Sequence, residues 1–443
     1  MLYDDWPSYP MTCGAMFEFE GKLCRAAFEQ AVGLASQRHP LLFSRIRQIR
    51  RNRWAWVPVD TPPQVGWLGA DGATEFAKCA PLDLRSEIGL RIWVRDVGCQ
   101  TTIHIEFHHA CCDGAGGLAF VEDLFAFYAA AVGRDQSSQK PIPTIDPSLL
   151  HKRSHFPSDG GVLDSVQTAF RDAVATWKIV GRSAMPLPYR DSPRLQADID
   201  WQQSRFITRR FDKELLLGLR KTASACSATV NDLLLRDLYL AIDQWNQHCG
   251  MVGLKNRLRI VIPVNLRARR DLKMSAANKF GYMFVTRHEQ QLTNPDKLLA
   301  TLIAEAARLR RTKFPVRFVR RLALMQALRF VFPVVFSPNR CLATAIMSNL
   351  GDPTRRFRTR FPRQGGLIEV GNLVMTGFSA TTPLRPFTRA GFFFNTYGNQ
   401  LTISARFDPT YYSVADVSTF LDFYTARFLE TASQRQLTRR LAA

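Results

Sequence analysis

The sequence predicts a mixed α/β (α+β) protein that is built from two domains. The chain has 443 residues, more than one ordinary hydrophobic core accommodates. Segments in which apolar and polar residues alternate, as in strands, are followed by segments with apolar residues at helical spacing. Hydrophobic residues make up 46% of the chain and include 31 Phe, so two cores can be filled.

The clearest pattern in the first half is a pair of strands that leads into a helix. Residues 89–97 (GLRIWVRDV) and 101–107 (TTIHIEF) alternate apolar and polar side chains. The Gly-Ala-Gly-Gly run at 114–117 ends the strand pattern, and apolar residues at helical spacing follow over 118–131. We therefore predict two strands, a loop and a helix, in that order.

Two connecting segments indicate where the domains meet. Residues 134–160 are rich in Ser, Pro and Asp and predict a linker. An amphipathic helix is predicted over 162–181, and 185–194 (MPLPYRDSPR) predicts a second connector. Strands and helices alternate again from residue 204, up to a last helix at 415–435. The predicted domains are residues 1–190 and 191–443.

Two adjacent histidines, His108 and His109, lie between the predicted strand and helix, four residues before an Asp-Gly turn. A neutral imidazole can take the proton from an attacking hydroxyl or amine, because its unperturbed pKa of about 6.5 is close to working pH. Adjacent side chains on extended backbone face opposite ways, so we expect the two rings to diverge. The alternative is a pair of packed histidines without a catalytic role.

A zinc site is a further alternative at this position. Five potential ligands lie close together in the sequence, namely His104, His108, His109, Cys111 and Cys112. The two cysteines are adjacent rather than two to four residues apart, and no second Cys or His cluster faces them. We therefore predict no metal. A thiol nucleophile is not predicted either, since nothing in the sequence lowers the pKa of the cysteines.

The His-His-x-x-x-Asp-Gly motif resembles that of thioester-dependent acyltransferases related to chloramphenicol acetyltransferase. This superfamily includes condensation domains of peptide synthetases, wax ester and diacylglycerol synthases, and alcohol acetyltransferases. The resemblance extends along nearly the whole chain. It covers residues 17–46, 81–84 (PLDL), 229–232 (TVND), 260–267 (IVIPVNLR), 348–351 (SNLG) and 401–407.

The resemblance implies two chloramphenicol-acetyltransferase-like subdomains, each a mixed sheet flanked by helices, with the active-site tunnel between them. It implies that His109 is the general base and that His108 packs into the fold. Asn231 and Asp232, which match the Asn-Asp helix start, and Asn349 of the Ser-Asn segment are possible site-lining residues.

The family also implies that Asp113 is structural and holds the motif loop through an arginine. Arg267 is our candidate partner, although Arg269 and Arg270 are close by. We expect Gly114 to let the backbone turn and approach the substrate closely, which a side chain would obstruct.

The chain is strongly basic, with a formal net charge of +21. Residues 308–363 contain 14 basic residues and one acid, Asp352. These cations could hold coenzyme A phosphates or face an acidic carrier protein, and 316–336 could lie on an anionic membrane surface. A solvated basic face is the third interpretation. Specific nucleic-acid binding is not predicted, since no binding module is recognisable.

The cysteines and the N-terminus indicate the compartment. Nine cysteines, an odd number without a CxxC pair, favour a reducing interior. The N-terminus lacks the pattern of a signal peptide, and no apolar run reaches the roughly 18 residues of a spanning helix. We predict a cytoplasmic protein, with peripheral membrane association as the alternative.

Together these features predict a stand-alone acyltransferase that moves an acyl group from a thioester to a hydroxyl or amine acceptor, which could be a small molecule or a lipid. The thioester of coenzyme A, or of phosphopantetheine on an acyl carrier protein, is expected as a substrate, and no cofactor is expected. No carrier domain is expected after the last helix. The alternative is a non-catalytic condensation-like binding module that recruits a partner or a carrier protein, although the intact His109, Asp113 and Gly114 argue against it.

Overall fold

The fold was analysed in a computed structural model of the chain. It describes residues 2–50, 53–60, 63–69, 81–133, 142–156, 181–194, 206–251, 257–327, 339–358 and 361–433, together with residues 174, 177, 179 and 337. All structural statements below refer to these residues.

Two large mixed sheets dominate the described part of the chain. The first has seven strands in the order β11-β12-β13-β1-β6-β5-β4. Only β4 and β5 run parallel in it. Its strands are β1 (Thr12–Glu20), β4 (Val65–Leu68), β5 (Leu90–Val97), β6 (Gln100–His108), β11 (Arg363–Gln364), β12 (Leu367–Val370) and β13 (Leu373–Ala380). A separate hairpin pairs β2 (Ser44–Arg50) with β3 (Arg53–Pro58).

The second sheet has six strands in the order β7-β15-β14-β10-β8-β9. Strand β10 is parallel to both of its neighbours, and the remaining pairs are antiparallel. Its strands are β7 (Ile207–Phe211), β8 (Arg257–Asn265), β9 (Phe280–His288), β10 (Ala345–Gly351), β14 (Ala390–Tyr397) and β15 (Gln400–Phe407).

Helices cover both sheets and complete two hydrophobic cores. One core lies between the first sheet and helices α1 and α2, and the other between the second sheet and α4, α5 and α8. The helices are α1 (Arg25–Arg38), α2 (Gly114–Val132), α3 (Ser148–His151), α4 (Lys213–Ala225), α5 (Val230–His248), α6 (Pro295–Arg311), α7 (Phe314–Ala327) and α8 (Val414–Ser433).

The two halves of the chain share the first sheet. Strand β13 pairs with β1, with Ala380 opposite Ala15, so residues 363–380 of the second half complete a sheet made by the first half. No sequence pattern predicts this exchange. The predicted boundary at residue 190 stays a prediction. Strand pairing nevertheless joins the two halves into one shared sheet, which independent domains would not have.

The strand–strand–helix pattern before and after the motif is confirmed. Strands β5 and β6 cover the predicted segments, and α2 begins four residues earlier than predicted because Asp113 caps it. The connector at 185–194 has no regular structure, whereas the helix predicted at 162–181 falls largely outside the described residues. The last predicted helix is α8.

Helix α2 packs as the central helix of the first core. Within the described part of the chain it is the one helix that has the length and composition to cross a membrane, yet 61% of its most apolar window is buried inside the protein. Its Asp123 accepts hydrogen bonds from Arg38 Nε at 2.6 Å and Arg358 Nη2 at 3.0 Å. Two arginines thus neutralise a carboxylate that the core would otherwise exclude.

Candidate active site

The two motif histidines diverge at the end of β6. His108 is fully buried, its Nδ1 accepts a hydrogen bond from the Ala110 amide at 3.1 Å, and its Nε2 lies 3.2 Å from Asp5 Oδ2. His109 is half-buried and lines a cavity of about 240 Å³. Because adjacent side chains alternate in direction, the His108 ring packs in the protein interior and the His109 ring lies beside the cavity.

The backbone and ring of His109 are held from two sides. Its amide donates to the Met11 carbonyl at 2.6 Å, and its ring lies 5.2 Å from the Phe280 ring. Nδ1 is buried and has no hydrogen-bond partner among the described residues, so Nε2 is the nitrogen that the cavity can reach. Burial lowers the pKa of His109, which favours the neutral imidazole that a general base requires.

Asp113 is saturated by three donors from different parts of the chain. Gly116 N donates to Oδ1 at 2.8 Å, and Lys279 N and Arg267 Nη1 donate to Oδ2 at 2.7 and 2.9 Å. Burial acts to raise the pKa of Asp113, but the Arg267 guanidinium and these hydrogen bonds lower it. The carboxylate therefore anchors the loop, and no hydrogen bond joins it to the imidazole of His109.

Asn278 belongs to the site although no sequence motif marks it. Its Nδ2 donates to the carbonyl of His109 at 2.8 Å and to that of Ala110 at 3.0 Å. Together with Arg267 and Lys279, it ties the motif loop to the segment before β9. No local pattern marks this contact, because its partners are about 170 residues apart in the chain.

The expectation that Gly114 is needed for the turn is wrong. Gly114 is the first residue of α2, its φ lies outside the left-handed region, and a Cβ there would meet no atom within 4 Å. Gly116 is the tight position instead, since its Cβ would lie 2.6 Å from the Ala277 carbonyl oxygen. Gly114 still lines the cavity at its solvent-exposed end.

The three possible site-lining residues separate in the structure. Asn349 lines the cavity, and its Nδ2 donates to Asn231 Oδ1 at 3.2 Å. Asp232 is buried in a capping box, where its Oδ2 accepts from the Thr229 amide at 2.9 Å and Thr229 Oγ1 accepts from the Asp232 amide. Asn231 thus holds the side chain of Asn349, which lines the cavity. The prediction that Asp232 lines the site was wrong, because its carboxylate caps α5.

Apolar side chains from both halves make most of the cavity wall. On one side lie Ala15 and Phe17 of β1 with Leu118 and Val121 of α2. On the other side lie aromatic residues of β9 and α7, namely Phe280, Tyr282, Phe284 and Phe318. A site of this kind favours apolar substrate groups around a single ionisable base.

Burial determines the chemical character of the motif cysteines. Cys111 and Cys112 are buried, and burial raises the pKa of both thiols, so neither is a ready nucleophile. No group of three His, Cys, Asp or Glu side chains close enough to hold a metal ion occurs within the described residues.

Part of the basic stretch at 308–363 is structural. Helix α7 turns the buried Phe314 and Phe318 towards β9, and Phe318 contacts the ring of Phe284 at 5.1 Å. Arg358 is bound to Glu122 and Asp123 of α2. The apolar face of α7 therefore covers the cavity. Residues 328–336, which form the second part of the 316–336 segment, lie outside the described residues.

No protein-family model and no curated protein sequence matches this chain. Solved structures do match. The first condensation domain of the calcium-dependent antibiotic synthetase, in complex with a substrate analogue, superposes with a TM-score of 0.69 at 13% identity, covering 98% of this chain and 93% of that one. The chain has the condensation-domain fold.

Two further solved structures match over nearly the whole chain. The starter condensation domain of rhizomide synthetase, a variant in complex with C8-CoA, gives a TM-score of 0.67 at 15% identity and covers 98% of this chain and 91% of that one. Polyketide synthase associated protein 5 from Mycobacterium tuberculosis gives 0.64 at 14% identity, with 96% and 94% covered. At these identities the condensation-domain similarity establishes the fold, including its two sheets flanked by helices.

Proposed function

We propose that this protein transfers an acyl group from a thioester to a hydroxyl or amine acceptor, with His109 as the general base. The single observation that carries the proposal is the half-buried His109 ring, which lines the cavity, has a buried Nδ1 and is kept neutral by burial. Around it, Asp113 and Asn278 fix the loop without occupying the imidazole, which leaves the base available for substrate.

The proposed reaction needs only this base and the two substrates. His109 Nε2 takes the proton from the acceptor as its oxygen or nitrogen attacks the thioester carbonyl. The tetrahedral intermediate collapses with cleavage of the carbon–sulfur bond, and the imidazolium returns the proton to the leaving thiolate. Ester or amide and free thiol are the products, and the base is regenerated neutral. The donor is a thioester of coenzyme A or of carrier-bound phosphopantetheine.

The apolar side of the cavity supports an apolar acyl group of intermediate length. Small residues lie near the motif end, where Ala15 and Gly117 leave space, and Phe17 and Val121 lie further along. From the start of α2 to Val121 the helix rises about 10 Å, which sets the depth. Phe17 lines the cavity and is supported from behind by the buried Phe125, with the two rings in edge contact at 5.3 Å. Neither acetyl nor a very long chain would fill this space as well.

A donor and acceptor screen tests the proposal. The purified protein is incubated with acetyl-, octanoyl- and palmitoyl-coenzyme A and with a panel of alcohols and amines, and free thiol and acylated product are both measured. We expect thiol release that requires an acceptor and is fastest with octanoyl-coenzyme A. Thiol release without acylated product, or no release with any pair or with an acyl carrier protein donor, would contradict the proposal.

A further inference from the structure

We propose that Arg356, together with the N-terminus of α2, binds an oxyanion of the substrate at the cavity mouth. This inference rests on the proposed acyl transfer and identifies a residue that sets substrate affinity. The shared chemistry is a phosphate or carboxylate group, which the phosphorylated pantetheine arm of the donor or an acidic acceptor could supply.

The mouth of the cavity is defined by residues that are both exposed and part of its wall. Gly114, Asn265, Asn349 and Arg356 are solvent-exposed and line the cavity. A substrate that reaches His109 from this end therefore passes Arg356.

A short helix positions Arg356 at this point. The one-turn 3-10 helix Pro353–Arg356 follows β10 directly, and Asp352 caps it by accepting from the Thr354 amide at 2.9 Å. Arg355, its neighbour in the same turn, is directed to solvent and pairs with Asp352 at 3.5 Å. The two adjacent arginines thus have different surroundings, and only Arg356 lines the cavity.

Within the described part of the chain, the positive charge at the mouth is not balanced. Asp113 is the acid beside both Arg267 and Arg356, and it is already engaged by Arg267 and two backbone amides. Arg356 itself makes no hydrogen bond or ion pair with the residues that the structure describes. Desolvation by the surrounding protein and the nearby Arg267 guanidinium lower the pKa of Arg356, although part of its side chain remains exposed to solvent. One guanidinium remains for a bound anion.

The N-terminus of α2 adds to this field. The helix has 19 residues, and its first turn begins at the exposed Gly114, where a side chain is absent. Asp113 satisfies the Gly116 amide, whereas the first amides of a helix have no partner inside it. An anion near Arg356 would therefore meet a guanidinium and a helix N-terminus at the same place.

The test compares Arg356→Gln with the matched control Arg355→Gln. Each variant is assayed with octanoyl-coenzyme A and with octanoyl-N-acetylcysteamine, which has the same thioester but no phosphate. We expect Arg356→Gln to raise the KM for octanoyl-coenzyme A by roughly tenfold or more, because a charge-assisted hydrogen bond is lost. With the N-acetylcysteamine donor the effect should be much smaller, and Arg355→Gln should match wild type with both donors.

Other outcomes separate the sources of the anion and the two levels of the proposal. An equal effect with both donors that appears only for acceptors with a carboxylate would assign the site to the acceptor. Wild-type turnover that is unchanged by Arg356→Gln with every substrate would overturn the anion site and leave acyl transfer intact. Calorimetric binding of free coenzyme A needs no turnover: binding weakened only in Arg356→Gln would support the site even if acyl transfer failed, and equal binding in both variants would overturn its phosphate form.

Discussion

Arg267 Nη1 donates to Asp113 Oδ2 across 2.9 Å, and this ion pair joins the loop after β8 to the start of α2. Both side chains are almost fully buried. Arg267 also donates to the Ala277 carbonyl at 2.6 Å, so one guanidinium holds the motif loop and the segment before β9 together. The pair thus connects the first and second halves of the chain directly beside the proposed base.

Breaking this ion pair should destabilise the protein. Removing one partner of a buried pair leaves a buried charge without compensation, so Arg267→Met should lower the free energy of unfolding by about 3–5 kcal/mol. Urea denaturation followed by fluorescence measures the change. The double variant Arg267→Met with Asp113→Asn should lose less than the sum of the two single variants, because both act on one interaction.

The control is Arg25→Met, which breaks the exposed pair between Arg25 and Glu29. We expect this variant to lower the free energy of unfolding by at most about 1 kcal/mol, since exposed ion pairs and the exposed contact of Arg25 with the Trp67 ring contribute little. Additivity of the Arg267 and Asp113 effects would show that the two residues stabilise the fold independently, contrary to the structure.

The pH dependence of activity should report the depressed pKa of His109. Burial lowers this pKa from its ordinary value of 6.5, so the imidazole stays neutral until the pH falls below that value. We expect kcat/KM to be constant near neutral pH and to fall only on the acid side, with a midpoint below 6.5. A midpoint above 6.5 in the profile of the free enzyme would mean that the ring is stabilised as a cation.

Asn278 should matter for activity more than for stability. Asn278→Ala removes both hydrogen bonds to the His109 and Ala110 carbonyls, and a base displaced by a fraction of an ångström should reduce kcat by about tenfold. Asn372→Ala is the matched control, since Asn372 bonds to the Lys22 carbonyl away from the cavity. Both thermal midpoints and kcat are measured. Equal kcat values for the two variants would show that the clamp does not position the base.

The wall at Val121 should set the preferred acyl length. Val121→Phe would fill the far part of the cavity and shift the best donor from octanoyl- towards shorter acyl-coenzyme A. Val121→Ala would deepen the cavity and shift the optimum towards longer chains, at a stability cost of about 1–3 kcal/mol for a small cavity. The ratios of kcat/KM across a series from acetyl to palmitoyl measure the shift. If both variants keep the wild-type preference for acyl chain length, the acyl chain does not bind beside Val121.

Local patterns predicted the elements that carry the motif. Strand β6 alternates apolar and polar residues, and the Gly-rich run marks the change to helical spacing, so the position of His109 at a strand end followed from the sequence. The contact between Asp113 and Arg267 was expected only from the family resemblance, since it spans 154 residues. Composition and spacing alone would not have selected Arg267 over Arg269 or Arg270.

Other parts of the site depend on contacts that no local pattern encodes. Asp5 lies beside His108, and Asn278 beside His109, only because the tertiary fold brings distant segments together. Strands β11 to β13 join the first sheet for the same reason. Asp232 is different, because it follows Thr229 by three residues, which is the spacing of a helix capping box. This local pattern could have predicted the structural role of Asp232 from the sequence.

The most direct test of the central claim is acyl transfer by wild type beside His109→Ala, with the best donor and acceptor from the screen. The variant should retain the wild-type unfolding transition and the affinity for coenzyme A, while kcat falls by about 10²–10⁴-fold because the proton acceptor is lost. His108→Ala should instead be impaired in stability, since that ring is fully buried. A folded His109→Ala protein that turns over at the wild-type rate would contradict the assignment of His109 as the base.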